Sequence, residues 1–237
     1  EYEMNEAIIK DKLQENFLSY LAIPSQSDED NPNVPSSVGQ LLLAQKLEKN
    51  LESLGLEDIN INEFGVLQAK LPTNTDITIP NIGWVCHLDT VDVGLSDQIH
   101  PQVIKDYDGR DIILNENENI VFSTKENSEI LSYIGDDIIV TDGRSVLGAD
   151  NKAAIANIMT ALWYLKENPE TCHAEINIAI VPDEEIGLRG VRKIDFDKFK
   201  VDYAYTIDCC ELGELVYETF NAASGVLKIK GIPAHPM

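Results

Sequence analysis

The sequence predicts an α/β fold, a mixed sheet flanked by helices, and three observations carry that prediction. Segments with apolar residues at helical spacing alternate along the chain with short apolar runs. The runs "NIGWVC" and "INIAIV" are almost wholly apolar and too short for helices, which is how strands buried on both faces read. No internal repeat or low-complexity segment breaks the alternation.

Each element follows from its local pattern. In "NEAIIKDKLQENFLSYLAI" the residues Ile8, Ile9, Leu13, Phe17, Leu18 and Leu21 recur at helical spacing, and Pro24 stops the helix. After the turn-rich "NPNVPSS", "VGQLLLAQKLEKNLESLG" is a second amphipathic helix, closed by Gly55. Short strands are expected at "DININE" and "GVLQAKLP", then a buried one at "NIGWVC". From Val91 to about Asp136 the chain is polar and irregular, with turn signals in "YDGRDIIL" and "NENENI". It is long for a connection in a compact domain, so a loop over a site is expected there. "DDIIVTDG" is a strand, and a third helix runs through Ile155, Ile158, Met159, Leu162 and Leu165. Strands "AEINIAIV" and "YAYTID" complete a pattern that implies helices on both faces of the sheet. "GVLKIKGIPAHPM" reads as one more strand at the very end, the mark of a chain cut short.

Composition narrows the function. The chain of 237 residues carries 41 Asp and Glu against 18 Lys and Arg, a net charge of −23. Such a surface repels nucleic acid and anionic membrane and favours cationic ligands, metal ions among them. No apolar stretch reaches the ~20 residues of a membrane span, and the opening "EYEMNEAIIKDK" has no signal-peptide pattern. Cys86, Cys172, Cys209 and Cys210 form no disulfide framework and no C-x-x-C, so a reducing, cytoplasmic setting is expected.

Metal-ligand residue types gather at predicted strand ends. "WVCHLDT" places His87 and Asp89 at alternate positions of an extended segment, so that Asp89 can take one imidazole nitrogen while the other faces a metal. "LGADNK" puts Asp150 at the mouth of a helix, "PDEEIG" supplies Glu184 and Glu185, and "YTIDCC" supplies Asp208. Neighbouring side chains of extended backbone point to opposite faces, so the two adjacent glutamates can hold two different jobs. Taken singly each residue has a plainer account: Asp150 as a helix cap, His87 as a core histidine, Asp89 and Asp208 as turn residues, the glutamates as solvated loop. One divalent metal site of the two-zinc type accounts for all of them together. Cys86, Cys209 and Cys210 are expected to pack, and His100 and His173 to be structural.

In their order, "HLDT", "GADNKAAIA", "PDEEIG" and "YTID" resemble the M20 metallopeptidases. The longer runs "FLSYLAIPSQSD", "HPQVIKDYDGRDIIL", "VTDGRSVLGADNKAAIANIMTAL" and "GELVYETFNAAS" resemble its tripeptide aminopeptidase branch over nearly the whole chain. The resemblance implies a zinc-peptidase-like fold holding two zinc ions, with residues 1–221 as catalytic domain and 222–237 as the start of a lid and dimerisation domain. It implies that His87 and Asp208 bind one zinc, that Asp150 bridges, that Glu185 binds the second, and that Asp89 orients His87. Glu184 is then the general base, and His235 in "AHP" the lid histidine that holds the substrate carbonyl, reaching a site across a homodimer interface. The expected activity is zinc-dependent release of the N-terminal residue from tripeptides. Dipeptidase or N-acyl amino acid deacylase chemistry, or an inactive metal-binding fragment, are the rival readings.

The chain departs from the family pattern in three places. Asn151 stands where the family has a second acidic residue, after a peptide bond that the resemblance implies is cis. Cys209, Cys210 and Glu211 replace glycines after Asp208. The final histidine expected for the second zinc is absent from the sequence, as are the lid residues expected to grip the peptide carboxylate.

Overall fold

The computed structural model describes residues 6–232 other than 210, 212, 220 and 224. In chain order the elements are α1 (Glu6–Leu21), α2 (Val38–Leu54), β1 (Glu57–Ile61), β2 (Leu67–Leu71), β3 (Ile82–His87), β4 (Gln102–Ile104), β5 (Ile112–Asn115), β6 (Ile120–Phe122), β7 (Ile138–Val140), α3 (Ala149–Glu167), β8 (Ile176–Val181) and β9 (Tyr203–Thr206). Five strands form the main sheet in the order β1-β2-β8-β3-β9. β2 runs antiparallel to β1 and to β8, whereas β3 runs parallel to both β8 and β9, so the sheet is mixed as expected.

Side-chain alternation in β8 shows why its run is apolar throughout. Ile176, Ile178 and Ile180 enter the core on the helix side, and Ala179 and Val181 enter a second core on the other. Phe17, Tyr20 and Leu21 of α1, Leu43, Leu47 and Leu51 of α2 and Ile155, Ile158, Met159 and Leu162 of α3 all pack into that first core. Helix α2 stops at Gly55, whose φ of 81° lets its N–H turn back to the Glu52 carbonyl at 3.0 Å.

The structure departs from expectation in three ways. The three α-helices lie against one face, not both; the other is covered by the 182–202 segment through Val191, Ile194, Phe199 and Val201. Helical periodicity says which stripe of a helix is apolar and nothing about which face of the sheet receives it. The region 91–136 is not one irregular loop: β4 pairs with β7 and β5 with β6 in two small antiparallel ribbons, so the "DDIIV" strand belongs to a ribbon rather than the main sheet. Residues 225–232 form no strand, and Val226, Leu227, Ile229 and Ile232 are exposed; strand propensity yields no strand where no neighbour accepts its backbone hydrogen bonds.

Because β3, β8 and β9 are parallel, their carboxyl ends meet at one edge of the sheet, the position where open α/β sheets collect ligands. The amino end of α3 reaches the same edge, where Asp150 touches His87.

Candidate metal centre

His87 ends β3 with its ring buried, at 3% exposure. Nδ1 lies 2.9 Å from the Asp89 carbonyl and 3.3 Å from the Asp89 carboxylate, and Nε2 lies 2.8 Å from Asp150 Oδ1 and 3.8 Å from Glu184 Oε2. Two donor groups share this imidazole, His87 with Glu184 and Glu185, and His87 with Asp150 and Asp208; within each, the ligand atoms lie within 4.8 Å of one another. The structure thus brings together His87, Asp89, Asp150, Glu184, Glu185 and Asp208. His235 and Cys210 lie outside the described residues, and His100 and His173 belong to neither donor group. Cys86 packs among the helix-side core, whereas Cys209 is exposed rather than packed.

Several plainer accounts give way to the geometry. Asp150 does not cap α3: Gly148 holds the N-cap position, no side-chain cap bond forms, and the Asp150 carboxylate turns to His87. The peptide bond between Asp150 and Asn151 is cis. Glu184 and Glu185 do not diverge as extended neighbours would. They stand in a turn that begins at Asp183, with φ 55°, and both carboxylates reach the same imidazole.

What holds that turn is Asp89. Its carboxylate, 0% exposed, accepts the Glu184 N–H at 2.9 Å on one oxygen and the Glu185 N–H at 3.1 Å on the other. One side chain therefore fixes both the imidazole and the backbone of the two glutamates. Asn151 performs a second tie: its side-chain oxygen accepts the His87 N–H at 3.2 Å, and its amide donates to the Ile207 carbonyl at 2.8 Å. An amide supplies both halves of this bridge between the ends of β3 and β9, where an aspartate would supply only an acceptor.

Crowding of like charges dictates the electrostatics. Burial opposes the charging of His87, but the hydrogen bond and charge of Asp89, with the charges of Asp150 and Glu184, push its pKa up to about 9. Burial, followed by the charge of Asp150, pushes Glu185 up to about 7. Glu184 is raised by burial, with the charges of Asp208, Asp89 and Asp150 adding to it against His87. Asp208 is raised by burial and then by Asp150. Burial would raise Asp89 too, yet the His87 ring and the two peptide N–H groups hold it below the ordinary range. Five carboxylates around one imidazole are short of positive charge, and nitrogen and oxygen ligands without sulfur are a donor set for a divalent cation.

Sequence reasoning missed several supports. Lys152 is 0% exposed and its ammonium donates to the Ile23 carbonyl at 2.6 Å; burial lowers its pKa to about 8. Its spacing of three, four and seven from Ile155, Ala156 and Met159, on the apolar stripe of α3, was the available signal. The Ser25 hydroxyl donates to the Leu88 carbonyl at 2.7 Å, fastening the 22–27 segment beside the loop that carries Asp89. Two cavities flank the cluster. One, of about 220 Å³, runs from His87, Glu184 and Asp208 to an apolar wall of Val85, Val181, Leu188 and Val191. The other, of about 270 Å³, is acidic, with Asp28, Glu29, Asp30 and Asp92 beside Glu185.

No family model matches the chain. It is 52% identical over 229 residues to a peptidase T-like protein of Yersinia pestis, covering 97% of this chain and 55% of that one. To the peptidase T of Bacillus licheniformis it is 46% identical over 228 residues, covering 96% and 55%. Among solved structures, a tripeptidase from Staphylococcus aureus shares its fold with a TM-score of 0.60 at 22% identity, over 85% of this chain and 44% of that one. The aminopeptidase PepT from Bacillus cereus does so with a TM-score of 0.60 at 24% identity, over 84% and 43%. The chain spans about half the length of the curated relatives it matches. By its sequence it is a relative of the peptidase T proteins, the branch of the M20 metallopeptidases that its motifs resemble.

Proposed function

We propose that this chain carries the reacting face of a zinc-dependent aminopeptidase that releases the N-terminal residue of tripeptides. One observation carries the reading: a histidine, two aspartates and two glutamates from four separate parts of the sequence converge at the carboxyl edge of the sheet. In this reading His87, Asp150 and Asp208 would hold one zinc, and Asp150 and Glu185 would hold a second. The ions, when bound, supply Lewis acidity that polarises the scissile carbonyl and lowers the pKa of the attacking water towards ~7.

The chain's own residues do the rest. Glu184, with its pKa raised by burial and by neighbouring carboxylates, takes a proton from the attacking water and passes it to the leaving amine. Asp89 keeps the His87 ring and the Glu184–Glu185 backbone in register. The acidic cavity of Asp28, Glu29, Asp30 and Asp92 suits the α-ammonium of a peptide, a group that an N-acyl amino acid lacks. Placing residues 1–221 in the catalytic domain and 222–237 at the start of a lid, with His235 holding the substrate carbonyl, belongs to the same reading. So do a cytoplasmic setting, small peptides as substrate and a homodimer; among the described residues, no helix is long and apolar enough to cross a membrane.

Zinc content of the purified chain and its steady-state hydrolysis of tripeptides and N-acyl amino acids test the reading. Zinc uptake with preferential tripeptide cleavage is expected, and Glu184→Gln is expected to lower turnover by ~10²–10⁴-fold while the metal stays bound. Preference for the acylated substrate refutes the aminopeptidase assignment, and zinc uptake without turnover leaves a metal-binding module.

A further inference from the structure

The turn that bears Glu184 and Glu185 is gripped from a second side, by residues that the site as described does not use. Asp183, immediately before the pair, is 0% exposed. Among the described residues no lysine, arginine or histidine pairs with it. Its carboxylate accepts instead from neutral donors: the Ser36 N–H at 2.9 and 3.1 Å, the Ser36 hydroxyl at 2.5 Å and the Gln40 side-chain amide at 2.7 Å. Gln40 returns the contact, its side-chain oxygen accepting the Asp183 N–H at 2.9 Å. Ser36 and Gln40 are themselves buried, at the entry to α2 and in its first turn. The Asp183 carbonyl accepts the Arg189 N–H at 2.9 Å, and the Arg189 guanidinium donates to the carbonyls of Asn31 and Glu29 at 2.7 and 3.1 Å.

This arrangement exceeds what a turn requires. A residue with φ 55° is served most cheaply by glycine or asparagine, and a buried carboxylate without a cation is costly unless its lone pairs are occupied. Here they are occupied by donors more than 140 positions away in the sequence. Glycine would keep the conformation and lose every one of these bonds. Asparagine would keep one acceptor oxygen and turn an amide towards groups that donate.

We propose that Asp183 is a positioning residue: clamped by Ser36 and Gln40, it aims Glu184 and Glu185 at the metal centre, with Asp89 holding the same turn from the other side. The proposal rests on the metal reading of the site given above. In its terms the amino end of α2 acts on the ions through the backbone of the glutamates, without touching them. Support of this kind, one bond removed from a ligand, typically affects metal affinity by ~10–100-fold.

The test is titration of the metal-free 237-residue chain with Co(II), following its visible absorption, with thermal unfolding of each metal-free variant measured alongside. Asp183→Asn and the milder Ser36→Ala are expected to stay folded, to bind Co(II) ~10–100-fold and less strongly weakened respectively, and to change the band intensities that report coordination. Combining Asp183→Asn with Gln40→Glu moves the carboxylate to the other end of the same hydrogen bond, and is expected to recover the parent's spectrum. Should Asp183→Asn fail to fold, Ser36→Ala carries the test. A folded variant that loses stability yet keeps the parent's affinity and spectrum shows a merely structural role and overturns the proposal. A parent chain that takes up no Co(II) overturns the metal reading itself, and the proposal with it.

Discussion

Replacing Asp89 by alanine removes the acceptor for two peptide N–H groups and the carboxylate beside His87 in a single step. Each N–H left without a partner in this partly buried turn costs ~1–2 kcal/mol. Losing the neighbour of the imidazole adds to that, while relieving the burial of a carboxylate that is 0% exposed offsets part of it. The net loss is ~3 kcal/mol, which for a domain of this size lowers Tm by ~6–12 °C. Asp89→Asn keeps one acceptor oxygen and falls about midway, ~1.5 kcal/mol. The assay is thermal unfolding of the metal-free chain at neutral pH, followed by circular dichroism, with the parent and both variants side by side. A shift below ~2 °C for Asp89→Ala, corresponding to ~0.5 kcal/mol, means that the carboxylate does not hold the turn, and the account of how the glutamates are placed is wrong.

Three further outcomes follow from the structure. Burial and the charge of Asp150 push Glu185 from its ordinary 4.5 up to about 7, and the carboxylates beside His87, outweighing its burial, push it from 6.5 up to about 9, so both favour the metal-free fold in their protonated forms. Their contributions are complete below the unfolded values and are lost as pH rises through 7 and 9, so metal-free stability falls from pH 5 to 9; Glu185→Gln should flatten the part of that fall between 4.5 and 7, seen as a smaller Tm change. Gly190→Ala places a Cβ 2.1 Å from the Pro182 carbonyl oxygen, which forces the 182–190 turn apart; a loss of ~2–3 kcal/mol in urea unfolding is expected, with weaker metal uptake. Ile178→Ala, at the centre of β8, is expected to cost ~2–5 kcal/mol, whereas Phe196→Ala, 65% exposed, stays within ~0.5 kcal/mol in the same unfolding assay.

Much of the fold was legible because its signals are local. The stripes of α1, α2 and α3, the stop at Gly55 and the apolar run of β8 all depend on residues within a few positions of one another. The face of the sheet each helix takes, and the ribbons between β3 and α3, are set by contacts that no local period encodes. The same division runs through the candidate site. His87, Asp89, Asp150, Glu184, Glu185 and Asp208 stood out as ligand-type residues at strand ends and helix mouths, and the structure draws them to one edge. Asp183, Ser36 and Gln40 carried no such mark, since an aspartate beside two glutamates and a serine in a turn-rich link read as ordinary solvated polarity. Their partnership spans more than 140 residues and becomes visible only when the chain is folded. The opposite directions expected of Glu184 and Glu185 failed for a physical reason: β8 ends at Val181 and the backbone turns left-handed at Asp183, so neither glutamate stands in the strand.

The strand order bears on how this chain can fold as it is made. β8 lies between β2 and β3, yet leaves the ribosome more than a hundred residues after β2 and nearly ninety after β3. Until it arrives, the β1–β2 hairpin and the lone β3 have nothing to join them, and neither apolar face has a continuous wall to pack on. A nascent chain stalled before Ile176 therefore exposes β2 and β3 edges that would otherwise pair with β8, together with the apolar stripes of three helices, which is the state most exposed to aggregation and to chaperone capture. Threading β8 into that gap completes the sheet, and the very next residues to emerge are those of the glutamate turn.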